Sequence, residues 1–200
     1  MVVEAIARGD VLTCGPDVLV RNAAARMADR RCSSVVVLDA ESDRPLGIWT
    51  ERDALHLDVD DPSALDQPIS AVMSSPLTTT RPETTTAQAT ALLREAGIRH
   101  LVVVAEDGSV RGVVSQSDLV AAEGSEGFLT AACLRDAAKG APLVRDGGEG
   151  LGVVIAAMRR ARCDSVLIEP VDAEGPGLIT ERDVVRLLAQ WPHQKKAGPL

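Results

Sequence analysis

Two hundred residues with 46% hydrophobic content are enough to bury a sizeable core, which excludes a chain disordered throughout. A formal charge of −8 excludes broad electrostatic attachment to nucleic acid or anionic membrane, although 18 of the 21 basic residues are Arg and a few that converge can hold a phosphate. With 2% aromatics and no Tyr, the core must pack through Val, Leu, Ile, Ala and Met.

The N-terminus, Met1 to Asp10, lacks the charged head and apolar core of a signal peptide, and no apolar run reaches membrane-spanning length. Cys14, Cys32, Cys133 and Cys163 form no C-x-x-C pair and read as reduced thiols. A cytoplasmic protein is expected.

In chain order, Val11 to Pro16 is a short extended segment stopped by proline. Ala23 and Met27 then hold the i, i+4 offset of a helix with one apolar face. Val35 to Leu38 is a β-rich run, Asp39 to Pro45 a hairpin-type turn, and Gly47-Ile48-Trp49-Thr50-Glu51-Arg52-Asp53 leads from a strand into a helix. Asp58 to Gln67 reads as a linker or loop.

The pattern then recurs. Leu77 to Pro82, Ala89 and Leu93, Leu101 to Val104, the turn Glu106-Asp107-Gly108, and Gly112-Val113-Val114-Ser115-Gln116-Ser117-Asp118 follow in the same order. After a second linker, Ala122 to Gly127, comes a third round. It holds Val154 and Met158, Val166 to Ile168, the turn Asp172 to Pro176, and Gly177-Leu178-Ile179-Thr180-Glu181-Arg182-Asp183. The motif glycines are 65 residues apart both times. At its head the third copy departs, because Leu143 to Gly148 has neither the Thr nor the Pro. Trp191 to Leu200 reads as a loose tail. Each unit is therefore expected to run β-α-β-β-α, an α/β (α+β) fold.

A hydroxyl that opens a helix, with a carboxylate three residues on, has a direct physical meaning. Thr50, Ser115 and Thr180 can accept from free backbone N–H groups of the first turn while Asp53, Asp118 and Asp183 reach back, as in a capping box. The same helix end, with spare donors and a positive dipole, favours a phosphate. The aspartates can accept from ribose hydroxyls.

The unit resembles the cystathionine-β-synthase domain, or CBS, repeat, over about residues 2 to 190. Repeats are expected at 2–60, 69–122 and 133–190, followed by the tail 191–200. The resemblance implies that the first two repeats associate through their sheets about a pseudo-twofold axis and hold adenosine-containing ligands in the clefts between them. The third is left without an in-chain partner, to pair with its counterpart in a second chain as a homodimer or with a fourth repeat. It further implies that Ser34, His100 and Ser165, followed by Val35, Leu101 and Val166, border the purine pocket. Where family members often carry Pro next, this chain has Val36, Val102 and Leu167. Arg99 and His100 are the phosphate candidates of the second repeat, where Ser117 replaces the Arg found at Arg52 and Arg182. Trp49, beside Thr50, is expected to report on occupancy of the first site.

Function follows the same line. The histidines are His56, His100 and His193, and no nucleophile motif, Walker loop or metal-spacing cluster accompanies them. The reading is a non-catalytic regulatory module that needs no cofactor, binds no metal, and takes AMP, ADP, ATP or S-adenosylmethionine as a regulatory ligand. It is expected to control an output domain or enzyme. A ligand-free structural pairing module, or the sensory fragment of a larger signalling enzyme, is the alternative.

Overall fold

The computed structural model describes residues 1–61, 63–122, 141–169 and 176–191. The stretch after Ala122, the head of the third repeat at 133–140 with Cys133, most of the Asp172 to Pro176 turn and the tail beyond Trp191 lie outside the described residues.

The first repeat holds β1 (Thr13–Cys14), α1 (Val20–Arg30), β2 (Ser34–Leu38), β3 (Pro45–Thr50) and α2 (Glu51–Ala54). The second holds β4 (Thr79–Thr80), α3 (Thr86–Ala96), β5 (His100–Val104), β6 (Val110–Ser115) and α4 (Gln116–Ala122). The third holds β7 (Val144–Asp146), α5 (Leu151–Ala161), β8 (Ser165–Glu169), β9 (Gly177–Thr180) and α6 (Glu181–Gln190). Each repeat is β-α-β-β-α, with one three-stranded sheet in sequence order, its first pair parallel and its second antiparallel. The missing Thr and Pro do not prevent β7 from pairing with β8, since a short parallel strand needs only backbone partners.

The helices form for local reasons. In α1, Val20, Ala23, Ala24 and Met27 recur at helical spacing and are buried. Thr85 and Gln88 build a capping box on α3, which Gly97 ends in the left-handed conformation, φ 65°. Arg31 and Arg162 end α1 and α5 in that same region, φ 52° at both, where glycine is the usual choice.

The first and second repeats meet sheet to sheet, through Val36 and Ile48 against Val102 and Val113. Their leading segments are exchanged. Arg8 pairs with Val113 across the edge of β6, and Ser74 pairs with Ile48 across the edge of β3. This crossing explains the motif glycine. A Cβ on Gly112 would sit 3.0 Å from the Arg8 carbonyl oxygen, and one on Gly47 would collide with the Met73 side chain.

The third repeat is not isolated, although its sheet face has no in-chain partner among the described residues: α6 packs on α1 and α2, and one apolar cluster runs from Val20, Met27 and Trp49 into Met158, Val185 and Leu188. Of the two readings of the Asp58 to Gln67 stretch, linker or loop, it is a packed loop, with Leu65, and Leu57 just before it, buried in that cluster and backbone hydrogen bonds from Val20 and Arg21 to Gln67 and Leu65. Polar composition hid two apolar anchors.

Candidate functional site

The capping boxes form as expected. Thr50 Oγ1 accepts from Asp53 N at 3.3 Å, while Asp53 Oδ2 accepts from Thr50 N and Oγ1 at 2.8 and 2.7 Å. Ser115 with Asp118 and Thr180 with Asp183 repeat the arrangement. One carboxylate oxygen of each aspartate is thus held by its own helix start, and the other is left to face outward. Because α2 is a single turn and α4 seven residues, their dipoles add little, and the side chains carry the chemistry.

The outward oxygens meet different surroundings. Asp53 Oδ1 accepts from Ser74 Oγ at 2.9 Å. Asp118 Oδ1 is gripped by Arg8, with Nε at 3.1 Å and Nη2 at 2.9 Å. Burial pushes the Asp118 carboxyl up, but the hydrogen bonds from Ser115 and Arg8 outweigh it and hold the group below the usual carboxylate range. Asp183 has Arg186 at 3.4 Å, and its bond from Thr180 lowers its pKa most.

A cleft of about 690 Å³ opens between the repeats. Its walls include Ser33, Thr50, Asp53 and Ser74 on one side and Ile98, Arg99, His100 and Ser115 on the other, with Leu77 and Thr78 beside them. Ser33 Oγ lies 2.9 Å from His100 Nε2 and bridges the two repeats. Burial, then the charge of Arg99, lowers the His100 pKa to about 4, so the ring is neutral at pH 7.

The third repeat also reaches this cleft. Glu181 and Arg182 line it. Arg99 Nη2 lies 2.8 and 2.9 Å from the two Glu181 oxygens, and Arg52 Nε is 3.7 Å from one of them. Arg182 Nε donates to Glu51 at 2.9 Å. The tetrapeptides Thr50-Glu51-Arg52-Asp53 and Thr180-Glu181-Arg182-Asp183 therefore pair reciprocally, each arginine with the other's glutamate. Burial raises the Glu181 pKa, opposed by Arg99 and Arg52.

Thr50, Asp53, Ser115, Arg99 and His100 come together at one opening, while Asp118 sits behind Arg8. Thr180 and Asp183 stand outside its lining, although their two intervening residues are in it. Ser34 pairs with Thr50 in the sheet, and its neighbour Ser33 is the one that lines the cleft. Val35 and Leu101 are wholly buried, Val35 in the core that the first repeat shares with the third and Leu101 in that of the second repeat. Trp49 is also wholly buried, within the core shared with the third repeat, so its ring senses that packing rather than the cleft. Sequence reasoning missed Arg8, Ser33, Ser74 and Glu181. A signal existed for two of these, since Arg8 and Ser74 each stand five residues before the Thr of the leading strand.

A CBS domain family model matches residues 3–60 and 69–125. The chain belongs to the CBS-domain family. The uncharacterized protein MK0525 from Methanopyrus kandleri is 33% identical over 119 residues, 59% of this chain and 60% of the relative, so the match spans less than two thirds of that protein. Protein MJ1225 from Methanocaldococcus jannaschii shares the fold over 94% of this chain and 72% of its own, with a TM-score of 0.75 and 18% identity. The CBS domain protein PAE2072 from Pyrobaculum aerophilum, solved in complex with AMP, is 26% identical with a TM-score of 0.55, over 59% of this chain and 89% of that one. Among the described residues of this CBS-domain chain, no helix is long and apolar enough to cross a membrane. No group of three or more His, Cys, Asp or Glu among them is placed to hold a metal.

Proposed function

We propose that this CBS-domain chain is a non-catalytic regulatory module that binds an adenine nucleotide or related adenosyl compound in the cleft between its first two repeats. The observation that carries the reading is a cleft of about 690 Å³, within the size range of small-molecule sites, with Asp53 in its wall. Asp53 accepts ribose hydroxyls with the oxygen that faces Ser74, and Leu77 and Ile98 supply apolar contact for the purine. The AMP complex of PAE2072 supports the ligand class. Asp118, covered by Arg8, makes the second motif the weaker site, so the Asp53 side is the one to test. Free thiols at Cys14, Cys32 and Cys163 fit a reducing compartment, and we place the protein in the cytoplasm on that ground.

Thermal denaturation with AMP, ADP, ATP and S-adenosylmethionine tests this. A ligand at about 100 times its Kd that binds only the folded state adds about 2.7 kcal/mol, or roughly 5 to 11 °C for a chain of this size. The shift is lost in Asp53→Ala. Silence across the panel would leave a structural pairing module.

We further propose that the third repeat joins two copies of the chain. Val36 pairs with Ile48 and Val102 with Val113 in the buried sheet face, and Leu167 pairs with Leu178 at the same register in the third repeat. Ile48 and Val113 are 8% and 9% exposed, but Leu178 is 60% exposed. Gly177 has no crossing segment over it among the described residues, only Ile168 of its own sheet. Face and edge both await a partner. A fourth unit closing a ring would also have to cover the helices of the second repeat. There Thr86, Thr90, Gln116 and Ser117 stand where the first repeat has Val20, Ala24, Glu51 and Arg52, so the contacts that join the first and third repeats are not repeated there. A second copy, which covers the sheet alone, fits better. Light scattering should give twice the chain mass, reduced to the monomer by Leu178→Glu; a monomeric parent chain at micromolar concentration refutes it.

A further inference from the structure

The charge in the cleft is already matched. Its lining carries Arg52, Arg99 and Arg182 against Glu51, Asp53 and Glu181, with His100 neutral. Every one of these arginines touches a carboxylate: Arg52 and Arg99 meet Glu181, and Arg182 meets Glu51. Among them Arg99 is the most enclosed, its side chain 29% exposed, and it faces an acid only 8% exposed. A phosphate is held best by guanidinium donors that are free to turn their fork on it. Here one arm of Arg99, Nη2, is held by both Glu181 oxygens, with Asp164 3.6 Å from the other arm.

We propose that Glu181, carried into the cleft by the third repeat, sets the charge class of the ligand: adenosyl compounds with little or no phosphate charge are accepted and polyphosphates are disfavoured. The inference rests on the reading of the cleft as an adenosyl site and deepens it. A buried carboxylate in the wall of the cleft repels each added phosphate. It also keeps from that phosphate the one guanidinium the second repeat offers. Removing the acid's charge leaves Arg99 tethered only by the more exposed Asp164 and able to turn inward. The third repeat thereby acts on a site formed by the other two, through one side chain.

The test is calorimetric titration of the full chain with adenosine, AMP and ATP in magnesium-free buffer, on the parent protein and on Glu181→Gln. In the parent, affinity should fall along the series, with ATP at least tenfold weaker than adenosine. In Glu181→Gln, ATP should gain at least tenfold relative to adenosine, whose own affinity changes less than twofold, and added salt should erase the gain. A merely structural role for Glu181 would move all three ligands together and would overturn the proposal. So would a parent chain that prefers ATP to adenosine, a result that needs no variant. Ligands that bind with an unchanged ATP-to-adenosine ratio in Glu181→Gln refute the role of Glu181 and leave the adenosyl site standing. Failure of all three to bind either protein overturns the inference, and silence of S-adenosylmethionine as well removes the site with it.

Discussion

The first repeat meets its two neighbours with opposite faces and different chemistry. Across the sheet it sets Val36 and Ile48 against Val102 and Val113, a wholly aliphatic cluster with the neutral Ser33–His100 contact at its rim. Across the helices it shares a larger apolar core with the third repeat, rimmed by charge, with Glu51 on Arg182 and Glu181 between Arg52 and Arg99. One junction is thus sensitive to the protonation of an imidazole and the other to salt. Two probes can therefore separate contacts made by a single repeat.

The largest effect should come from the helix side. Leu188 of α6 is 1% exposed and packs into the core shared by the two repeats. Leu188→Ala should cost about 2–5 kcal/mol, the range for a buried leucine whose cavity only partly collapses. Denaturation followed by Trp49 fluorescence reads this directly, because that indole lies in the same cluster. The matching change on the outer sheet face, Leu178→Ala, removes a side chain that is 60% exposed and should cost within about 0.5 kcal/mol in the monomer. Equal costs for the two leucines would mean that the third repeat docks differently.

How much of this was legible in the sequence depends on whether a feature is local. The β-α-β-β-α order and the capping boxes follow from spacing and residue type within a few positions, and both form as expected. The union of the first and third repeats left a readable trace that the sequence analysis passed over. Thr-Glu-Arg-Asp occurs at 50–53 and 180–183 but not at 115–118, and Met27 with Cys32 is repeated by Met158 with Cys163. Two surfaces that carry the same complementary pair can dock face to face; Ser115-Gln116-Ser117-Asp118 cannot do so in that way. The equivalent spacing of Arg8 and Ser74 before Thr13 and Thr79 marks them as a related pair, but not that they meet Asp118 and Asp53. Those contacts depend on exchange of leading segments between repeats, and no periodicity along the chain encodes which sheet edge a segment crosses.

On the sheet side, His100 gives the comparison a pH axis. Its folded-state pKa of about 4 lies below the 6.5 of an unfolded histidine, so folding favours the neutral ring. The stability this protects is fully present above pH 6.5, is lost as the pH falls from there towards 4, and totals about 3 kcal/mol at most. His100→Gln should flatten that slope between pH 7 and 5 in urea denaturation. A slope that persists in His100→Gln would move the acid sensitivity away from the sheet junction.

The smallest effect belongs to the outer charges of the helix side. Arg182 is 59% exposed and Glu51 15%, so their 2.9 Å contact is largely open to water and counterions on the arginine side. A double-mutant cycle with Arg182→Met and Glu51→Gln should yield a coupling of about 0–1 kcal/mol at low salt, vanishing in concentrated salt as surface pairs do. On that outcome the pair chooses the orientation in which the third repeat docks, and the aliphatic core around Leu188 and Met158 holds it there. A coupling above about 2 kcal/mol, beyond what an exposed pair supplies, would reverse the assignment. The charges would then hold the helix junction, and salt alone should detach the third repeat and open Arg99 to phosphate.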